Sequence, residues 1–331
     1  MKQLFRDFLL VNAQSFGFGV FDIAYLLNQT AVLSQPDIQE NELLINFPQI
    51  LDILLVDRTS SKPSRKRNII WANDNYLKYG RKYTATAQIK PDLITGQMGG
   101  IIKPRALKTA DMQKKRTKSK AEVFTPTWIV KKQNDILDQN YVDDDLLTYV
   151  KRKWLEITCG EAPYMVTRYD METGELIPLT HRVGFVDRKL ARINSQIDDK
   201  AEWQLLVEKA YQASYGFEWS GDSLLLAREN LLYTYRDYYF DKWDAEPTQN
   251  LLEVIANIIS YNVFQMDGLK YIIPLSEQRE IKINSQLSFF DDLPQEEIVI
   301  RKVKRVRIMN WETNKMEYFD KELKKSRTKA S

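Results

Sequence analysis

One cysteine and one histidine in 331 residues close off several chemistries at once. Cys159 alone makes no internal disulfide and no Cys-rich zinc site, and His181 alone excludes most His-based metal centres. No metal is expected, and a reducing cytoplasm suits such a chain. Also missing is an apolar run of membrane length. The opening MKQLFRDFLLVNAQSFGFGVFDIAYLL is interrupted by Arg6, Asp7 and Asp22, without a small-residue cleavage site. It reads as a core helix, and no membrane partner is expected. Net charge is small too, because 48 Lys plus Arg stand against 45 Asp plus Glu. That balance hides segregation, since several short segments are almost purely basic.

What is present is enough apolar residue, 44%, to bury one large domain with elaborations, or two domains. Residues 1–57 mix helical periodicity with the apolar runs LLINF and ILDILLV. The runs ILLV and NIIWA predict two strands joined by the basic loop Ser60–Arg67. Arg65, Lys66 and Arg67 in that loop suit phosphate contact; a solvated hairpin tip is the other reading. From Ile101 to Ala121 eight Lys or Arg residues accompany one acid. Lys103, Arg105, Lys114, Lys115, Arg116 and Lys118 are therefore candidates for a nucleic-acid backbone, where each neutralised phosphate releases condensed counterion; a solvated loop is the other reading.

The stretch WLEITCGEAPYMVTRYD, Trp154–Asp170, predicts a strand, a tight turn at Cys159-Gly160 and a helix start. A second strand is read in ASYGFEW, ending at Glu218, followed by a long amphipathic helix in GDSLLLARENLLYTYRDYYFDKW with Asp222 as cap candidate. A third strand end falls at Asp267-Gly268, where a simple turn acid is the alternative. Three carboxylates at three strand ends fit a doubly wound sheet that binds one ligand across its carboxyl edge.

With the turn at Cys159, the segment AEVFTPTWIV, Ala121–Val130, resembles adenine-specific DNA methyltransferases, the modification subunits of restriction–modification systems. Glu122, Val123, Phe124, Thr125 and Pro126 match a phrase that in this family precedes the first cofactor strand and packs over the methionine end of S-adenosylmethionine. Thr125 is the expected N-cap and Pro126 the first-turn residue of the next helix. Glu156–Ala162, EITCGEA, is similar to the family's first cofactor motif, of the type DPACGSG. LLLARENLL is similar to the helix behind the second strand, and Asp267-Gly268 to the third motif.

The resemblance implies an α/β fold, a Rossmann-like class I S-adenosylmethionine-dependent methyltransferase sheet with an N-terminal α+β extension and a basic C-terminal tail. The implied divisions are 1–120, 121–275 and 276–331. Phe124, Thr125, Pro126, Glu156, Cys159, Gly160, Glu218 and Asp267 are then the cofactor contacts, S-adenosylmethionine the cofactor and double-stranded DNA the partner. The pattern departs in two ways. Only one of the usual two glycines is present, with Glu161 at the small-residue position and Pro163 following, and no Pro-Pro dipeptide occurs anywhere. A phrase of the type NPPY, which holds the flipped adenine, is therefore absent. The nearest remnant is Asn310-Trp311, Asn310 to polarise an amine and Trp311 to stack. A second modification or restriction subunit is the partner that such a gap invites.

Gln286, Leu287, Phe289 and Phe290, within QLSFF, resemble the short peptide by which bacterial replication proteins dock on the sliding clamp. Two functions of different class stand: a DNA adenine methyltransferase or its cofactor-binding subunit, and a catalytically inactive DNA-binding protein of the same fold that docks on a partner such as the clamp.

Overall fold

The computed structural model describes residues 36–62, 64–109, 125–284 and 295–321. The chain runs through helices α1 (Glu40–Asn46), α2 (Pro48–Leu54), α3 (Thr127–Asp138) and α4 (Leu146–Lys151) to strand β1 (Trp154–Glu156). Helices α5 (Phe185–Gln196) and α6 (Lys200–Gln212) lead to β2 (Ser214–Glu218); α7 (Gly221–Trp243) and α8 (Gln249–Asn262) lead to β3 (Val263–Gln265). Strands β4 (Gln278–Asn284) and β5 (Gln295–Lys302) pair antiparallel, as do β6 (Arg307–Asn310) and β7 (Lys315–Tyr318).

The architecture is mixed α/β around a three-stranded parallel sheet in the order β1-β2-β3, with Leu155 opposite Tyr215 and Phe217 opposite Phe264. Parallel strands need both faces covered. One face, carrying Trp154, Glu156 and Gly216, meets the helices: Trp154 stacks on Phe185 of α5 at 5.4 Å between ring centroids. The other face, with Phe217 and Phe264, packs on Met266, Ile273, Val306 and Phe319, so the hairpin β6–β7 covers it. Helix starts reflect local chemistry. Asp145 caps α4 through the Thr148 amide, and Asp199 caps α6 through the Glu202 amide.

Several expectations change in the structure. No helix starts after the Cys159-Gly160 turn: the chain from 157 to 184 runs through turns, one isolated bridge between Tyr169 and Leu176 and a short 3-10 turn at Leu179–His181 before α5 begins. The run NIIWA is not a strand but makes isolated bridges at Asn68 and Ile70. The run ILLV is not a strand: Ile50, Leu51 and Leu54 fall on the buried face of α2, which Pro48 opens, and beyond it lies a single antiparallel bridge between Val56 and Asn68. The period of three and four outweighs the β-branched content. Helix α3 begins one residue later than expected, with Pro126 at the cap, while the Thr127 hydroxyl donates to Asp170 at 2.8 Å. Helix α7 is not amphipathic but buried nearly all round, because one contiguous core joins residues 38–102 to residues 150–263 about it. No helix of the described residues is long and apolar enough to cross a membrane.

The N-terminal segment reaches the sheet itself. Ile70 exchanges two hydrogen bonds with the Gln265 side chain, accepting from Nε2 at 2.8 Å and donating to Oε1 at 2.9 Å. The Gly221 amide donates to Trp71 O at 3.1 Å, and Trp219 Nε1 to Ala72 O at 2.8 Å. Asp222, the expected cap, accepts from Asn73 and Tyr76 at 2.9 Å each, so it ties this segment to the start of α7. A Cβ on Gly221 would sit 2.1 Å from Ile70 O. Gly221→Ala is thus expected to cost about 1–3 kcal/mol through overpacking, measured as a fall in urea midpoint, with the segment 68–73 the first to lose amide-exchange protection.

Candidate functional site

Strand polarity brings the ends of β1, β2 and β3 to one carboxyl edge, where several of the residues singled out in the sequence gather. Beyond Glu156 the chain turns through Thr158, Gly160 and Ala162, all with left-handed backbone (φ 48°, 55° and 63°). Glycine adopts this freely; threonine and alanine hold it at about 1–2 kcal/mol each. Clamps hold the turn. The Cys159 amide donates to Phe217 O at 2.8 Å, and Glu156 accepts from the Tyr164 amide at 3.2 Å and the Met165 amide at 2.9 Å.

Glu218, at the end of β2, accepts from the Gly160 amide at 2.9 Å and from the Ser220 amide at 3.1 Å. The first of these bonds joins two of the expected cofactor residues directly, and it spans the ends of adjacent strands. Burial raises the Glu218 carboxyl from its ordinary range, against the pull of those amides, and Asp222 raises it further. Glu156 is pushed up to about 8, first by burial and then by Glu218, while the amides of Tyr164 and Met165 pull it down. The folded protein therefore keeps a proton on Glu156 that the unfolded chain has released. That proton's contribution to stability is lost as pH rises from the ordinary carboxylate value of 4.5 to about 8. Urea midpoints are expected to fall between about pH 5 and pH 8, and Glu156→Gln, which carries no titrating proton, is expected to flatten that fall.

The remaining candidates are spread more widely. Cys159 is buried, and burial pushes its thiol well above the ordinary value, so it is no nucleophile at neutral pH. Glu161 turns away from the edge, accepting from the Arg105 amide at 2.8 Å and the Tyr169 hydroxyl at 2.7 Å. Asp267 lies two residues past β3 and accepts from the amides of Leu269 and Lys270 at 2.9 and 3.1 Å, the alternative of a turn acid. Thr125 and Pro126 precede α3, which Asn134 ties to Tyr164 O at 3.1 Å, so the helix sits beside the chain leaving the Gly160 turn. Lys103 is exposed, next to Asp37. Phe124, Lys114, Lys115, Arg116, Lys118, Gln286, Leu287, Phe289 and Phe290 lie outside the described residues.

Asn310 and Trp311 do not join this edge. Trp311 Nε1 donates at 2.8 Å to Asn262, the residue before β3, whose amide nitrogen donates to the carbonyls of Tyr211, Gln212 and Ser214. These groups surround the starts of β2 and β3, the amino edge of a parallel sheet. Asn310 turns the hairpin, accepting from the amides of Glu312 and Thr313 at 3.0 and 3.2 Å. The pair closes the wrong end of the sheet for contact with a ligand held at Gly160 and Glu218.

A second feature forms where the Thr59–Arg67 loop meets the chain entering β6. The walls are joined by Thr59 Oγ1 donating to Arg307 O at 3.0 Å and by Arg307 Nη2 donating to Thr59 O at 3.1 Å. Between them lies a cavity of about 450 Å³, with Lys62, Arg65, Arg67, Lys304, Arg305 and Arg307 among its lining residues and no carboxylate from the described residues. Arg65 and Arg67 are two of the loop cations singled out in the sequence; Lys66 is exposed but does not line the cavity. Lys304, Arg305 and Arg307 escape the sequence reading, although their signal is legible as cations recurring through RKVKRVR. Among the described residues, no group of three or more His, Cys, Asp or Glu side chains is placed to hold a metal ion. Comparison with protein-family models, curated proteins and solved structures returns no match for this chain.

Proposed function

We propose that this chain is the S-adenosylmethionine-binding and DNA-binding modification subunit of an adenine methylation system, built on a Rossmann-like methyltransferase sheet. The observation that carries the reading is the Glu218–Gly160 bond across the carboxyl ends of β1 and β2. It joins an acid at the second strand end to the glycine turn at the first, the two positions at which this class of fold holds a nucleoside. The residues fit the group. Glu218 accepts from the amides of Gly160 and Ser220 and is also bonded by the Trp219 amide; a carboxylate has about four acceptor positions, so one is left for a ribose hydroxyl. The bound cofactor supplies the activated methyl group; the residues of this chain orient it.

Supporting the DNA half are the basic segments and the cavity lined by six cations and no acid among the described residues. The base-holding element is not supplied by Asn310 and Trp311, which sit at the amino edge, so methyl transfer calls for an element from a second subunit. Transfer of labelled methyl to plasmid DNA, with and without the product of a neighbouring gene, tests this. Labelling only with the second chain is the expected result, and labelling by the chain alone would contradict the need for a partner.

A second reading, a catalytically silent DNA-binding protein of the same fold, is favoured by one observation. The Gln265 side chain at the carboxyl end of β3 is taken up by Ile70 at both its oxygen and its nitrogen, and the nitrogen also donates to Trp219 O at 2.8 Å, which narrows the room for an adenine ring beside that strand. Failure to bind S-adenosylmethionine with DNA present would select this reading.

A further inference from the structure

We propose that the groove between the Thr59–Arg67 loop and residues 303–307 is the track for the phosphate backbone of duplex DNA. The inference rests on the DNA half of the proposed function and not on the cofactor half. Among the described residues, six cations and no acid line this cavity of about 450 Å³. Arg305 pairs with Asp320, and its guanidinium lies 4.1 Å above the Tyr318 ring. Arg307 is held against Thr59 by the bond that joins the walls. Lys62, Arg65, Arg67 and Lys304 have no carboxylate partner among the described residues, and Lys62, Arg65 and Lys304 are exposed. Like charges gathered from two segments distant in sequence repel, and among the described residues the Arg305–Asp320 pair offsets only part of that repulsion. A polyanion offsets the rest, by neutralising them and shedding its own counterions.

The shape suits a polymer. A second cavity of about 220 Å³ shares Ser60, Arg67, Ile273 and Lys304 with the first and extends to Ile70 and Gln265. The second has one acid in its wall, Asp57, whose carboxylate is taken up by the Thr59 and Ser60 amides at 3.0 and 3.2 Å. The two adjoin through those shared residues, in a groove that leads from Tyr318 toward the carboxyl end of β3. DNA lying in it would pass the sheet edge that carries Gly160 and Glu218. Thr59 and Ser60 add hydroxyls to the wall, and Ile273 and Val303 give an apolar floor on which sugars rest.

The test is fluorescence anisotropy of the full chain with a labelled duplex of about 20 base pairs over a range of salt. The variants are Arg67→Gln and Lys304→Gln, one from each wall, with Lys66→Gln as control. Arg67 and Lys304 make hydrogen bonds through their backbones, so folding is expected to be unchanged, checked by circular dichroism. Each groove variant is expected to weaken binding several-fold and to reduce the slope of log affinity against log salt by about 1, with a smaller change for Lys66→Gln. Parent binding with both groove variants unchanged, and loss on neutralising Lys114, Lys115 and Arg116 instead, would overturn the groove and leave the DNA reading standing. No binding of duplex by the parent would overturn both. Displacement of the duplex by micromolar ATP would make this a nucleotide pocket and overturn the proposal. The cofactor titration is independent of every arm.

Discussion

Glu218→Ala is expected to weaken S-adenosylmethionine binding by at least about tenfold, because a hydrogen bond to an ionised group contributes about 1.5–3 kcal/mol and each 1.4 kcal/mol is a factor of ten. The carboxylate holds the Gly160 amide at 2.9 Å, and under the proposed function its remaining acceptor position would meet a ribose hydroxyl. Glu218→Gln separates these two roles. It retains one acceptor oxygen and replaces the other with a donor, which meets either Gly160 or Ser220 unfavourably, so an intermediate loss is expected. Calorimetric titration measures affinity, and the thermal midpoint of the unliganded variants controls for folding. Unchanged affinity in Glu218→Ala would remove this residue from the cofactor site.

Arg228→Met is expected to produce the largest loss of stability of any substitution considered, about 3–5 kcal/mol. Arg228 is fully buried in α7. Its guanidinium donates to Val263 O at 2.8 Å, Val56 O at 3.0 Å and Ser260 O at 3.3 Å, and also to Leu54 O. One side chain thus ties α2, the chain after it, α8 and β3 together, and Met leaves those carbonyls buried with their donor gone. The five-donor planar fork is what reaches several carbonyls at once, so Arg228→Lys is expected to recover only part of the loss. Urea unfolding observed by circular dichroism measures both. A Met variant within about 1 kcal/mol of the parent would contradict this clasp.

Much of the sheet is legible in the sequence because its signals are local. ASYGFEW is a short run bounded by a turn, and β2 occupies Ser214–Glu218 within it; the glycine turn after WLE comes directly behind β1. Buried parallel strands are read from such runs without knowledge of their neighbours. ILDILL misleads because a short apolar run serves helix or strand equally, and burial of Ile50, Leu51 and Leu54 on one face decides the matter. Helix α7 misleads for a related reason. Its Arg228, Glu229, Asn230 and Arg236 look like a solvent face, yet all four are buried, and Arg228 and Arg236 are engaged by carbonyls and by Glu246.

The candidate site divides along the same line. Gly160 and Glu218 are 58 residues apart, and an expectation of sheet order joins them, which the parallel β1-β2 register satisfies. The groove is only half legible: Arg65 and Arg67 stand out as a cluster, whereas their partnership with Lys304 and Arg307 depends on the Thr59–Arg307 bonds, which no local pattern announces. Likewise the contact of Ile70 with Gln265, 195 residues apart, is a product of packing alone.

Whether this chain holds S-adenosylmethionine is measured most directly by calorimetric titration of the cofactor into the full-length protein with duplex DNA present. The expected result is saturable binding of one cofactor per chain that weakens at least about tenfold in Glu218→Ala. Absence of binding by the parent protein under those conditions would contradict the cofactor site.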